Sequence, residues 1–311
     1  GDHRDLHAFP TRRSSDLEDY LKAGSIAGEV RENVRKTDWI GSTLAEICDY
    51  VESEIIKRGA KCAFPVNTSM NEIAAHYTAE PNDPKTVSDT DLVKIDLGAQ
   101  INGYIADTAV TVNYDPQYDQ MVQTAEDALQ NAMSMIKAGV KSKDVGRTIQ
   151  KTIQDMGFKP IANLSGHSLD QYTIHAGKTV PNMWTIGSFL FSENEAYACE
   201  PFVTTKNALG FVRNGKIKNI FALVSRKKTK DEEADRLTDY IWNNFNMLPF
   251  ALRWLLKEWE EKEARRLLEI LVKKKVVHAY AILVEANGKT VAQAEHTFIP
   301  TQSGATVTTM G

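Results

Sequence analysis

Apolar residues fall at helical spacing from about Glu18 onward: Leu21, Ile26, Val30 and Val34 recur along one face, with Ser15 or Asp16 placed to cap the helix. A second helix is predicted over Ser42–Arg58, with Leu44, Ile47, Val51 and Ile55 on one side and Gly59 at its end. After a loop holding Pro65 the period changes to two. Asp91–Val112 alternates, and Asn102-Gly103 within it predicts a hairpin turn. The pattern then begins again, with helices over 117–137 and Lys143–Met156, the latter ended by Gly157, and strand-like segments after them. IGSTLAEICDYVESEIIKRGA and AGVKSKDVGRTIQKTIQDMGF share apolar spacing and a terminal glycine, so the chain reads as two similar helix–helix–sheet halves. A helical stretch interrupts the second half. It has a helix over about 231–245 (Leu237, Tyr240, Ile241, Phe245), Pro249 suited to a first helical turn, and helices over Ala251–Glu258 and Lys262–Lys274. Strand pattern returns at Val276–Val284 and around His296–Pro300.

Charge sharpens this division. Residues 206–280 hold 17 Lys and Arg against 10 Asp and Glu, a net of +7, in a chain whose total is −4. A basic module inserted at 206–280 into an acidic domain made of 18–205 and 281–311 accounts for both patterns. Gly1–Leu17 has no apolar stretch of the signal-peptide kind. Within it, FPTRRSSDL resembles a translated sequencing-adapter primer, so residues 1–17, with His3 and His7, are set aside as non-native. No run approaches the roughly 18 apolar residues of a membrane span. The three cysteines (Cys48, Cys62, Cys199) lack C-x-x-C spacing and are odd in number, which argues against a disulfide framework or cysteine zinc site and points to a reducing cytoplasm. Net charge gives no reason to expect a nucleic-acid partner.

The chemistry-bearing residues lie mostly on the predicted strands. Asp96 and Asp107 occupy the two arms of the hairpin, and a turn centred on 101–103 puts them nearly opposite, about 4.5–5.5 Å apart. A divalent cation, a shared proton or solvent screening would each answer their repulsion. His167 and His175 are eight residues apart in extended sequence, an even spacing that puts both on one face of a regular strand. Glu200 sits in apolar AYACEPF, near a strand end or in need of a partner, and Glu295 in VAQAEHTFI; each taken alone reads first as a solvated strand residue. His76, in NEIAAHYT, alone reads as an ordinary surface histidine. Together the set is four carboxylates and one imidazole. Oxygen-rich donors suit Mn, Fe, Co or Zn, and four negative charges balance two divalent ions, the composition of a binuclear hydrolase.

With these residues placed, the chain resembles the type 2 methionine aminopeptidases over about Glu18 to Met310. The carrying motifs are AFPVNTSMNEIAAHYT (63–78), DLVKIDLGAQINGYIADTAVTV (91–112), SGHSLDQYTIHAGKTVPN (165–182), ACEPF (198–202), LPFALRWL (248–255) and AQAEHT (292–297). The resemblance implies an α+β pita-bread (creatinase/aminopeptidase) fold with pseudo-twofold halves around a curved antiparallel sheet, plus a helical subdomain inserted at 206–280. It implies two divalent metal ions (Co, Mn, Fe or Zn) on Asp96, Asp107, His167, Glu200 and Glu295. Asp107 and Glu295 would bridge them, Asp96 would chelate one, and His167 and Glu200 would hold the other. It makes His76, His175 and Glu200 catalytic: His175 at the scissile peptide, His76 near the leaving side, Glu200 as proton shuttle. Phe64, Ile174, Phe202 and Tyr280 would line the methionine pocket, with His76 and His175 also touching substrate. The implied activity is removal of N-terminal methionine from nascent chains and peptides with a small second residue, by a metal-bridged hydroxide. The expected protein is a cytoplasmic monomer that meets its substrates at the ribosome, with no membrane and no specific nucleic acid as partner.

Cys199 and Ala294 depart from the pattern beside ligands without replacing one. VTTKNALGFVRNGKIKN lacks the usual glycine-rich turn, SRKKTKDEEADRL is unusually charged, and a pocket histidine expected in the insert has no counterpart. Two alternatives share the fold. Proline-specific relatives carry a substantial domain before the catalytic half, whereas here the first catalytic helix comes almost at once. Non-catalytic relatives that bind ribosome or RNA lose metal ligands, and this chain keeps all five.

Overall fold

The computed structural model describes residues 13–311; Gly1–Arg12, with His3 and His7, lie outside them. Helix α1 runs Ser14–Lys36, so part of the segment set aside forms its first turn. The expected caps are corrected: Arg13 takes the N-cap position, and Asp16, inside the helix, accepts the Arg13 N–H at 3.3 Å. Tyr20, Ala23, Ile26, Ala27, Val30 and Val34 are buried, whereas Leu21 is 39% exposed. Its five-residue spacing from Ile26 turns it off the packed face. Helix α2 (Leu44–Lys57) opens on a reciprocal cap, in which Thr43 Oγ1 accepts from Glu46 N–H (3.1 Å) and Glu46 Oε2 from Thr43 N–H (2.8 Å).

Both helices lie on a long hairpin. Leu92–Ile101 and Tyr104–Asn113 pair along all ten residues of each strand. Asn102 and Gly103 both have positive φ, +51° and +89°, the conformation an Asn-Gly two-residue turn supplies without strain. Val93, Ile95, Leu97 and Ala99 face the helices and join their core; Asp96 and Gly98, alternating with these, face the other way. Lys61–Cys62 and Asn67–Met70 pair with the first strand to complete this sheet.

The second half repeats the arrangement. A 3-10 turn, Pro116–Tyr118, leads into α3 (Asp119–Met135), and α4 (Ser142–Asp155) follows. They share a core with a five-stranded antiparallel sheet ordered Ala305–Val307, His296–Pro300, Ala196–Cys199, Ser165–Leu169, Thr179–Pro181. The two sheets meet at an isolated antiparallel bridge between Ala109 and Glu295. Three threonines reinforce that seam. Thr297 Oγ1 donates to Asp107 O and accepts from Asp107 N–H, both at 2.8 Å; Thr108 Oγ1 donates to Glu295 O at 2.7 Å; Thr111 Oγ1 donates to Gln293 O at 2.6 Å. Arg31, buried on α1, holds Thr108 Oγ1 and Thr309 O, each at 2.8 Å. The chain end can lie this close because a Cβ on Gly24 would stand 2.4 Å from Thr308 O, and one on Gly28 2.6 Å from Gly311 N.

A third apolar core gathers Leu223, Leu237, Ile241, Phe250, Leu267 and Val277 among others. Its sheet is ordered Phe250–Ala251, Ile220–Leu223, Val277–Tyr280, backed by α5 (Glu232–Phe245), α6 (Leu252–Leu255) and α7 (Glu261–Lys273). Two expectations fail here. Pro249 does not start a helix, because Phe250 and Ala251 are taken into sheet pairing with Phe221 and Ile220, and the helix expected to Glu258 is the single turn α6. The expected strand Val276–Val284 also splits, its second part, Leu283–Glu285, pairing with Val212–Asn214 and Ile73–Ala75 instead.

Arg253 joins this core to α2. Its Nη2 donates to Glu52 Oε1 at 2.8 Å and Nη1 to Glu52 Oε2 at 3.1 Å, while Nε donates to Ala79 O at 2.9 Å. Trp254 Nε1 donates to the same Glu52 carboxylate at 2.8 Å. Glu52 is 7% exposed, so removing its partner leaves a buried charge. Arg253→Ala is expected to cost about 3–5 kcal/mol, read as a lower denaturant midpoint, and Arg253→Ala with Glu52→Gln to recover part of it. Equal loss in single and double variants would show that packing, not the ion pair, dominates.

Candidate active site

All eleven residues singled out in the sequence line one cavity of about 330 Å³: Phe64, His76, Asp96, Asp107, His167, Ile174, His175, Glu200, Phe202, Tyr280 and Glu295. The first sheet contributes Asp96 and Asp107. Their register corrects the expectation that they stand opposite: Asp96 pairs with Ala109, and Asp107 with Gly98. With the turn at Asn102-Gly103 the two carboxylates are diagonal neighbours on one face, farther apart than a direct pair. The second sheet contributes His167, within Ser165–Leu169, and the residues beside its strands, Glu200 and Glu295.

His167 and His175 do not share a continuous strand. The strand ends at Leu169, and the chain doubles back so that His167 pairs with Thr179. That fold-back, rather than the even spacing, sets their rings edge-to-face 4.3 Å apart. The hairpin tip braces the loop between them: Tyr172 N–H donates to Gly103 O and Gln171 Nε2 to Asn102 O, both at 2.8 Å. His76 follows strand Ile73–Ala75 with φ +66°, unusual for a residue with a side chain. Gly98 has no Cβ for a reason of space, since one would come 2.3 Å from the Phe64 ring.

Donor atoms of Asp107, His167 and Glu295 lie within 4.8 Å of one another, the spacing of a metal site. His167 Nε2 is 3.4 Å from Glu200 Oε1 and 3.7 Å from Asp107 Oδ2. Asp96 Oδ2 accepts from Asn67 Nδ2 at 3.4 Å, and Glu295 Oε2 from Gln293 Nε2 at 3.3 Å. Asp96 Oδ1 and Asp107 Oδ1 are buried without a protein partner. Among the described residues no lysine or arginine pairs with any of the four carboxylates. Burial raises Asp96 to about 7. Burial and the neighbouring acids push Asp107, Glu200 and Glu295 well above the carboxylate range. Burial and His175 lower His167 to about 3 and His76 to about 4, and burial lowers His175, so all three imidazoles are neutral at pH 7. Uncompensated carboxylates with orphaned oxygens, next to a neutral imidazole, fit divalent cations. Cys199 is buried, and burial then Glu200 raise its thiol, which leaves it a packing residue.

Asn67, Gln293, Arg31 and the three seam threonines were not anticipated. The only sequence signal for them was position: Gln293 stands two residues before Glu295, Thr108 adjoins Asp107, and Thr111 lies four residues beyond it.

The profile of metallopeptidase family M24 matches residues 18–222, and the chain belongs to that family. Its chemistry therefore depends on a divalent metal, and its helix-backed halves are those of the pita-bread fold. The chain is 38% identical to the methionine aminopeptidase of Methanothermobacter thermautotrophicus over 296 residues, 94% of this chain and 98% of that one. It is 39% identical to that of Methanocaldococcus jannaschii over 292 residues, again 94% and 98%. The crystal structure of a methionine aminopeptidase from Thermotoga maritima superimposes with a TM-score of 0.71, covering 98% of this chain and 100% of that one; at 22% identity it speaks for the fold.

Metal removal should leave a specific pH signature. Between about pH 4 and 7 the native state holds a proton on Asp96 that the unfolded chain releases, so this group's contribution to stability falls as pH rises through that window. The buried histidines act oppositely, but only below their ordinary value of 6.5. From pH 6.5 to 8 the carboxylates act alone. The melting temperature of chelated protein should fall over that interval, while that of metal-loaded protein stays level or rises, because bound cations stabilise the native state. A chelated form that grows more stable over the same interval would contradict the repulsion.

Proposed function

We propose that this chain is a methionyl aminopeptidase that hydrolyses the bond after an unblocked N-terminal methionine when the second residue is small. The observation that carries this is the convergence, in one cavity, of four carboxylates and His167, all of metal-binding type, with two further histidines and four apolar wall residues. The likeness to methionine aminopeptidases over 94% of the chain supports it. Two divalent ions (cobalt, manganese, iron or zinc) would balance four carboxylates. Asp107 and Glu295 would bridge them, Asp96 would complete one site, and His167 with Glu200 the other. When bound, such ions supply Lewis acidity at the scissile carbonyl and a water of lowered pKa.

The protein groups do the rest. The carboxylate-rich cavity attracts the substrate ammonium. Glu200 takes the proton of the attacking water and returns it to the departing amine. His175 donates to the developing oxyanion, and His76 borders the leaving side. Phe64, Ile174, Phe202 and Tyr280 form an apolar slot for an unbranched thioether. Tyr280 is braced edge-to-face by His278 at 4.5 Å and has His76 at 6.0 Å.

We assign it to the cytoplasm as a monomer acting on nascent chains near the ribosome; its three free thiols fit a reducing compartment. No described helix is long and apolar enough to cross a membrane. The exposed run Lys273–Lys275 is the basic surface a ribosomal encounter would use. Arg226 and Lys228 are engaged with Asp239.

His175→Ala should lower kcat about 10²–10³-fold with bound metal unchanged by elemental analysis. A variant that instead loses metal, and recovers full rate on reconstitution, would make His175 a ligand and overturn its role.

Substrate choice is tested with Met-Ala-Ser, Leu-Ala-Ser, N-acetyl-Met-Ala-Ser, Met-Lys-Ser and Ala-Pro-Ala at equal concentration. Met-Ala-Ser should be cleaved fastest, Leu-Ala-Ser roughly 10–200-fold more slowly, as for a misfit of one methylene in an apolar slot, and the acetylated peptide not at all. Preferred release of alanine from Ala-Pro-Ala would move the chain to the proline-specific branch, and equal cleavage of Met-Lys-Ser would remove the size filter.

A further inference from the structure

A second cavity, of about 700 Å³, adjoins the candidate active site. The two have six lining residues in common, 163–165 and 177–179. The insert residues on the methionine side of the pocket, Ile220, Pro249 and Tyr280, do not reach the second cavity. The shared residues, 163–165 and 177–179, are thus where the one cavity borders the other.

The far wall of the trough is the segment from Pro181 to Phe189. Trp184 lines it at 48% exposure, and Leu164, Met183 and Phe189, each part-exposed, line the same trough. Large apolar side chains grouped in solvent beside a catalytic cavity mark a ligand surface. The segment is also held in place. Ser142 N–H donates to Phe189 O and Gly139 N–H to Phe191 O, both at 2.9 Å, and Trp184 N–H donates to Gln150 Oε1 at 3.0 Å. Phe189 packs on Phe191 and Tyr197, with ring centroids 5.1 and 5.7 Å away. A wall ordered before the ligand arrives loses little entropy on binding. Among the described residues the one charged side chain lining the trough is Lys178, which is paired with Glu195. The surface thus offers apolar contact with little demand for a particular charge, which suits polypeptides of varied sequence.

We propose that this trough binds residues three to five of the polypeptide whose N-terminal methionine fills the pocket, with Trp184 as its principal apolar contact. The inference rests on the reading of the pocket given above. An extended chain advances about 3.3–3.6 Å per residue, so three residues reach roughly 10 Å beyond the second position. Moving one apolar side chain out of water is worth on the order of 10-fold in affinity.

The test measures kcat/KM of the metal-loaded protein on Met-Ala-Ser, Met-Ala-Ser-Leu-Leu and Met-Ala-Ser-Glu-Glu, for the parent and for Trp184→Ala and Trp184→Phe. The leucine pentapeptide should exceed the tripeptide about 10-fold, with the gain in KM, and the glutamate peptide should gain little. Trp184→Ala should erase the gain while leaving Met-Ala-Ser turnover and the melting temperature unchanged, and Trp184→Phe should keep most of it. A flat length series in the parent, or a gain that survives in Trp184→Ala, overturns the proposal. So does a sedimenting dimer that Trp184→Ala dissolves without any length effect, which gives the patch to a second copy of the chain. Failure of the parent to cleave Met-Ala-Ser removes the methionine reading and this inference with it, an outcome distinct from a flat series.

Discussion

Four buried carboxylates facing one another are the constraint to which the rest of the molecule answers. Each is desolvated and each repels its neighbours, so without cations the native state relieves itself by taking up protons. A site of this kind on loops would open. Here two of the acids stand on a ten-residue-per-strand hairpin and the others beside strands of a second sheet. The hydrogen bonds that close the seam run through the backbones of the same residues: Asp107 through Thr297, Glu295 through Thr108, Gln293 through Thr111. Rigid elements thus hold the charges at a spacing that their own electrostatics oppose. Arg31 illustrates the economy of this design. It is buried near the site, yet its guanidinium is spent on Thr108, Thr309 and Glu32 and neutralises none of the four acids.

Much of this was legible in the sequence wherever local pattern and local structure agree. The hairpin announced itself by alternation and Asn-Gly, and α2 and α4 by amphipathic spacing and a closing glycine. What escaped was long-range. Asp96 and Asp107 are diagonal rather than opposed because the register is fixed by the turn at 102–103, and a shift in its assumed centre changes every pairing. The pairing of His167 with His175 needed a fold-back that even spacing imitates. Pro249 looked like a helix start, but the following two residues complete a sheet whose other strands lie 30 residues away on either side, beyond what a local window can see. Arg253 stood out only as part of the LPFALRWL motif, and its partner was illegible, since a surface arginine and one locked into Glu52 are identical in a sequence window.

The pocket divides its tasks between separately built parts. Its candidate metal donors belong to the two sheets that meet at the seam. Part of its apolar wall comes from the sheet beside the third core, where Ile220 pairs with Tyr280 and with Ala251, the second residue after Pro249. Ile220 and Tyr280 are register partners at one edge of a small sheet, and Pro249 directly precedes its third strand. One tie between that sheet and the half carrying Asp96 is the contact of Arg253 and Trp254 with Glu52, on a helix whose core takes in the strand of Asp96. Substitutions in this small sheet can therefore reshape the Tyr280 side of the cavity without touching a candidate metal donor, whereas Phe64, which packs on Gly98, ties the other side to the hairpin that carries Asp96 and Asp107. A shift at the Arg253 joint would change the distance between the Tyr280 side of the cavity and its carboxylates while leaving both parts intact, and catalytic sites in general lose their geometry with misplacements of about 1 Å. The joint is buried and bidentate, whereas most ion pairs on the third core's surface are exposed, and this difference follows from what each has to hold in place.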